Sequence, residues 1–303
     1  MAPSHRQPGE QLDLFSGGVP TSERPSPDSD QRPRLVVEVL DDVALIAALP
    51  YAGLSECHAL AAEAGRRRLT AAVPALDTLC RRFKGFGLHQ AVPEQVAALQ
   101  GLAEIGGRAA AIAVTRLVSE GIVQGPGLKD AIGAAALLSA RLPPDRAASL
   151  LRHAEPSIRA DACRCAPPVP EVVALLVSLL DDLHVAVADA AACALGRMGR
   201  PEAAPALSRL IQVRPTAAAI EAIAPIADGN VIVLLGRIAR AQPSLADAVL
   251  DALDDIDTPQ AAAVATSIRR NNGMERGDGT LTTAPVRRFD GPDAQLTEVR
   301  IRS

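Results

Sequence analysis

Aromatic side chains are nearly missing from this sequence, which has no tryptophan, one tyrosine and four phenylalanines in 303 residues. Since 48% of the chain is hydrophobic, its interior must be built from Ala, Leu, Val and Ile. Such a composition argues against a β-sandwich or barrel, which draws on aromatic and β-branched residues in alternating runs. It suits helices, because Ala and Leu lead the helix-propensity ranking and small side chains let helix axes approach.

Other absences narrow the function. No stretch near 20 residues is both apolar and free of charge, so no membrane span is expected. The first residues lack a basic segment followed by an apolar one, so the expected compartment is the cytoplasm. The five cysteines (Cys57, Cys80, Cys163, Cys165, Cys193) form no CxxC pair; they read as small buried hydrophobes in a reducing compartment. None of the five histidines (His5, His58, His89, His153, His184) has a second histidine at a metal-ligand interval. The sequence contains no GxGxxG, GxxxxGK[ST], GxSxG or HExxH pattern. No catalytic residue, cofactor or metal is therefore assigned. Asp251, Asp254, Asp255 and Asp257 lack the spacing of a calcium loop and read as a solvated helix end.

The net charge of −4 gives the whole chain no nucleic-acid-like basicity. Locally the balance shifts. Between Tyr51 and Gln90, Arg66, Arg67, Arg68, Arg81, Arg82 and Lys84 outweigh Glu56, Glu63 and Asp77. Between Glu171 and Gln260 acids outnumber bases roughly two to one. The arginines at 66, 67, 68, 81 and 82 are candidate contacts for an acidic partner; their alternative is a solvated helix face.

Residues 1–34 are rich in Pro, Ser, Asp, Gly and Gln, too poor in apolar surface to offset the entropy of ordering, and are expected to be disordered. Residues 272–303 turn Gly, Thr, Asp and Arg rich and are expected to be mostly irregular. Residues 35–271 lie between, as apolar segments of helical length with Pro, Gly or Asp at the joints. Segments beginning near Pro74, Ala109, Asp145, Glu171, Ala204, Asn230 and Gln260 recur at intervals of roughly 26 to 36 residues, in the range of helical-pair repeats. Val231, Leu234, Leu235 and Ile238 form a 3.6-residue stripe, as do Leu245, Val249, Leu253 and Ile256, and Val187, Ala191, Ala194, Leu195 and Met198. Pro93, Pro144 and Pro201 sit where helices should start, and Gly199 where one should end. One pair alone would leave an apolar face wet, so neighbours must stack. The expected fold is all-α, a solenoid of about seven helical pairs with disordered N- and C-terminal arms.

The segment DDLHVAVADAAACALGRMGRPEAAPALSRLIQ, Asp181 to Gln212, resembles a repeat of the bacterial HEAT family, including its phycobilisome-lyase-like branch. Asp181 and Asp182 match the turn whose aspartate caps the first helix in that family, and Ala194, Leu195 and Gly196 match the helix end. The resemblance implies that the second helices line a concave face. Cys163, Cys165 and the run Pro167 to Pro170 depart from the pattern. Di-iron hydroxylases of this architecture carry repeated His-Glu dipeptides, which are missing here. Alkylpurine DNA glycosylases built on such repeats use aromatics to hold a damaged base, whereas this chain offers only Tyr51, Phe83 and Phe86 between its arms.

The sharpest short signal is Gln11-Leu12-Asp13-Leu14-Phe15, which resembles the QL[SD]LF peptide by which bacterial replication and repair proteins dock on the DNA sliding clamp. The resemblance implies that Leu14 and Phe15 enter an apolar pocket while Gln11 anchors by hydrogen bonds; Leu12 belongs to the same contact. An alternative is that the LF pair tacks the arm onto the array. The expectation from sequence is a non-enzymatic scaffold or adaptor for protein partners, with the sliding clamp among them and no membrane. The competing reading is a HEAT-like DNA repair enzyme or DNA-binding protein.

Overall fold

The computed structural model of the protein describes residues 37–276. All fifteen α-helices among the described residues follow one plan. After α1 (Asp42–Ala48) come seven pairs: α2 (Cys57–Arg66) and α3 (Val73–Arg82), α4 (Pro93–Ile105) and α5 (Gly107–Ser119), α6 (Gly127–Leu137) and α7 (Pro144–Leu151), α8 (Pro156–Arg164) and α9 (Pro170–Ser178), α10 (Val185–Arg197) and α11 (Ala204–Val213), α12 (Ala217–Ile223) and α13 (Gly229–Ala241), α14 (Ala246–Asp255) and α15 (Pro259–Arg276). The second helix of every pair begins within two residues of the start expected from sequence. Two boundaries differ. Pro201 opens a 3₁₀ turn, Pro201–Ala203, and α11 follows it. At the other end α15 runs on to Arg276, past the expected boundary at 271.

The first helices form one continuous layer: α2 packs on α4, and so on through α6, α8, α10 and α12 to α14. In the second layer α3 packs on α5, α7 on α9 and α13 on α15. The main contacts of each helix are with near neighbours in sequence, which is the defining property of an α-solenoid. The core is correspondingly a strip of Ala, Leu, Val and Ile; Leu60, Leu102, Ile132, Leu150, Leu195, Ile220 and Leu253 are all essentially inaccessible. Small residues set the layer's spacing. At Gly196 in α10 a Cβ would press on the carbonyl oxygen of Ala222 in α12 and lie 2.5 Å from Leu207 Cδ1. Glycine is therefore required there for α10 and α12 to approach.

Helix ends explain the joints. Beyond α10, Gly199 adopts φ 68°, its N–H donates to Gly196 O at 2.8 Å, and Arg200 N–H donates to Leu195 O at 3.0 Å. This is the Schellman arrangement that satisfies the last carbonyls, as Gly199 was expected to do. The same pair of bonds closes α2, where Arg68 holds the left-handed position at φ 50°, and α6, where Ser139 holds it at φ 51°. The aspartate expected to cap α10 acts differently. Asp182 stands two residues before the cap residue His184, so its Oδ1 accepts from the backbone amide of His184 itself at 2.8 Å, not from an amide inside the helix. Arg159 of α8 binds the same carboxylate through Nε at 2.9 Å and Nη2 at 3.0 Å, locking consecutive repeats together. No helix among the described residues is long and apolar enough to cross a membrane.

Candidate protein-interaction surface

The arginines picked out by sequence separate into two groups, and most of their donors are used within the chain. Arg66 donates to Glu63 at 2.6 and 2.8 Å, and Arg67 reaches Glu63 at 2.6 Å, Asp42 at 2.8 Å and the Leu40 carbonyl at 2.9 Å. Hydrogen bonds from Arg66, then Arg67, hold the Glu63 carboxyl down to about 2, from an ordinary 4.5. Arg68 is exposed, and its backbone is committed to the end of α2. Arg81 joins α3 to α5, bonding Glu120 at 2.5 Å and Asp77 at 2.6 Å. Arg82 donates to the carbonyls of Pro50 at 2.8 Å and Ala52 at 2.6 Å, with its guanidinium 4.7 Å from the Phe83 ring centroid. This places Arg82 beside the exposed Tyr51. The local basic excess is thus largely an internal ion-pair network. Residues Gln11, Leu12, Leu14 and Phe15 lie outside the described residues.

The thiols are packing groups. Burial pushes Cys80, Cys163 and Cys165 up to about 12, far from a reactive thiolate at neutral pH. Among the described residues no three His, Cys, Asp or Glu side chains gather as a metal site would need.

A residue that sequence reasoning passed over organises the loop after α3. Gln95, in the first turn of α4, is 2% exposed, and its amide nitrogen lies 3.1 Å from Cys80 O, 3.3 Å from Phe83 O and 3.2 Å from Ile122 O. The loop it supports presents an open groove lined by Leu54, Phe83, Phe86 and Leu88, with Phe83 and Phe86 edge to face at 6.4 Å.

A second opening lies along α10. On one side the first half of α10 faces α11, enclosing about 390 Å³ between Val185, Ala188, Leu210 and Val213, with Arg209 at the wall. On the other side, about 330 Å³ open between α10, the end of α8 and the start of α12, floored by Ala186, Ala190 and Cys193 and walled by Arg164 and Arg197. Asp189 and Arg214, which are ion-paired, border both spaces. Exposed apolar side chains line the first of these spaces: Val213 is 72% exposed and Val185 64%. Isolated exposed apolar residues are ordinary, but a cluster flanking a groove is the pattern of a contact surface. No periodicity argument finds this trough, because four helices from three consecutive repeats contribute to it.

Residues 144–224 match the family model described as HEAT repeats. That span runs from the start of α7 to the 3₁₀ turn after α12 and contains the whole trough. The array is an α-solenoid whose middle is similar to HEAT repeats. No curated protein matches the chain.

Proposed function

We propose that this protein is a non-enzymatic adaptor, whose helical array holds a protein partner and whose Gln11–Phe15 peptide ties that partner to the DNA sliding clamp. The observation that carries the first half is the form of the surface. The array offers long, open troughs with exposed apolar rims and mixed charge, the kind of surface repeat arrays use to hold other macromolecules. Support for the second half comes from the sequence of the arm, in which every position fits the clamp-docking pattern. Tethering through a short peptide leaves the array free to carry a second partner, raising that partner's effective concentration at the clamp.

The DNA-binding reading is less favoured because Arg66, Arg67 and Arg81, the side chains that phosphates would need, bind Glu63, Asp42, Asp77 and Glu120. The adaptor reading is tested by pull-down of purified sliding clamp with the intact protein and with the double variant Leu14→Ala/Phe15→Ala. Clamp retained by the wild type and lost from the variant supports it. Equal retention of clamp by both, or by neither, removes the tether.

A further inference from the structure

We propose that the trough along α10 is a peptide-docking site for a short, extended, acidic segment of a partner protein with apolar side chains between its carboxylates. This deepens the adaptor reading and rests on it.

Three observations converge. The first is length: on α10 a stripe that is exposed at Val185 and half-buried at Asp189, Cys193 and Arg197 covers twelve residue steps, or about 18 Å at 1.5 Å per residue, enough for roughly five or six residues of extended chain at about 3.3 Å each. The second is the floor. Ala186, Ala190 and Cys193 leave room for inserted side chains, and Leu210 provides an apolar wall. Burial pushes the Cys193 thiol above its ordinary value, so this floor is uncharged.

The third is charge, and it decides the chemistry of the occupant. Of the cations lining the trough, Arg214 is paired with Asp189 and Arg164 with Asp161. Arg209 and Arg197 make no ion pair or hydrogen bond among the described residues, and they stand on opposite sides of the Asp189–Arg214 bridge. Arg197 is half-buried, and a charge-assisted hydrogen bond from its guanidinium is stronger than one between neutral groups. Two unpaired guanidinium groups divided by a neutral ion pair suit two separated carboxylates. A long polyanion fits poorly, because acids border the site: Asp182 lines the space beside Arg209, and Glu221 and Asp255 line a further opening at Arg197. Repulsion from those acids limits the anionic stretch to the length of the trough and disfavours nucleic acid.

The test is fluorescence anisotropy with the full chain and four labelled probes: a hexapeptide alternating aspartate and leucine, its lysine–leucine and aspartate–serine counterparts, and a single-stranded DNA 12-mer. The aspartate–leucine probe is expected to bind at least tenfold more tightly than the other three, with affinity falling as salt rises. Arg197→Glu/Arg209→Glu is expected to weaken it at least tenfold and to raise binding of the lysine–leucine probe. Arg197→Gln/Arg209→Gln, which removes charge without reversing it, should fall between, with an unchanged circular dichroism spectrum and melting temperature in both variants. Equal binding of the acidic and basic peptides, tightest binding of the DNA, or full retention by the charge-reversed variant would overturn the site. If the site fails while clamp pull-down still depends on Leu14 and Phe15, the adaptor reading stands and only the trough is withdrawn. Loss of the clamp result alone leaves the peptide assay to be judged separately.

Discussion

Adding one methyl group to Gly196 tests how closely the first-helix layer is stacked. A Cβ there would press on the Ala222 carbonyl oxygen and sit 2.5 Å from Leu207 Cδ1 and 3.0 Å from the Ala222 carbonyl carbon. Relief requires α10 and α12 to part by about an ångström, because two of the three obstacles are backbone atoms. Overpacking of this kind costs about 1–3 kcal/mol, while alanine's better helix propensity returns about 1 kcal/mol. Gly196→Ala should therefore destabilise by up to about 2 kcal/mol. Gly133, inside α6, provides the matched control, since a Cβ there meets nothing nearer than Asp161 Oδ2 at 3.7 Å, an ordinary contact. Gly133→Ala keeps the propensity gain without the clash and should stabilise by about 0.5–1 kcal/mol. Urea unfolding followed by circular dichroism reads both, and a chain this size shifts in melting temperature by roughly 2–4 °C per kcal/mol. Hydrogen exchange adds location, because repeat arrays open locally, and the loss in Gly196→Ala should concentrate on α10 and α12. Equal stability of the two variants would refute the close approach of those helices.

Gln95→Leu removes a donor from three carbonyls at the ends of α3 and α5, of which, among the described residues, Cys80 O and Phe83 O keep a backbone N–H and Ile122 O does not; a loss of about 1–3 kcal/mol is expected by urea unfolding, with faster amide exchange from 83 to 92. The Glu63 carboxyl is held to about 2 in the fold against an ordinary 4.5. The stability its ion pairs contribute is therefore full above the unfolded value and is lost as pH falls from 4.5 toward 2, where the folded carboxylate itself protonates. The melting-temperature gap between wild type and Glu63→Gln should be widest near pH 6 and should close over that window; a gap independent of pH would contradict the assignment. Iodoacetamide at pH 8 should leave Cys80, Cys163 and Cys165 unmodified in the native protein, and peptide mass mapping should find all five cysteines labelled after denaturation.

The fold was legible wherever local chemistry decides it. Ala and Leu at helical spacing and proline at the first turn fixed where α4 and the second helices, α7 among them, begin, because those signals act within one segment. Gly199 was readable for the same reason. Reading failed where the deciding partner is remote. Gln95 looks like any surface glutamine in the run PEQVAALQ, and only the meeting of α3, α4 and the end of α5 gives it three carbonyls. The arginine cluster was half legible: Glu63 with Arg66 and Arg67, and Asp77 with Arg81, stand at the three- and four-residue spacings of helical ion pairs. Asp42 and Glu120, however, come from other helices. Asp182 matched the family's capping position in sequence, but its offset from His184 turns it toward Arg159. The polar composition after 271 reads as the end of the helices, yet α15 continues to Arg276.

The claim beneath both functional proposals is that the helices form an extended stack and do not close into a globule. It is tested most directly by the distance from α2 to α14 in the intact chain, measured between spin labels introduced through non-cysteine chemistry at the exposed positions His58 and Asp251. Six steps of about 8–10 Å between neighbouring helices predict a separation of roughly 40–55 Å after allowance for curvature. A narrow distribution centred there is the expected result. A distribution centred near 25 Å, the typical spacing of two points in a compact ball whose radius of gyration is about 18 Å, would contradict it.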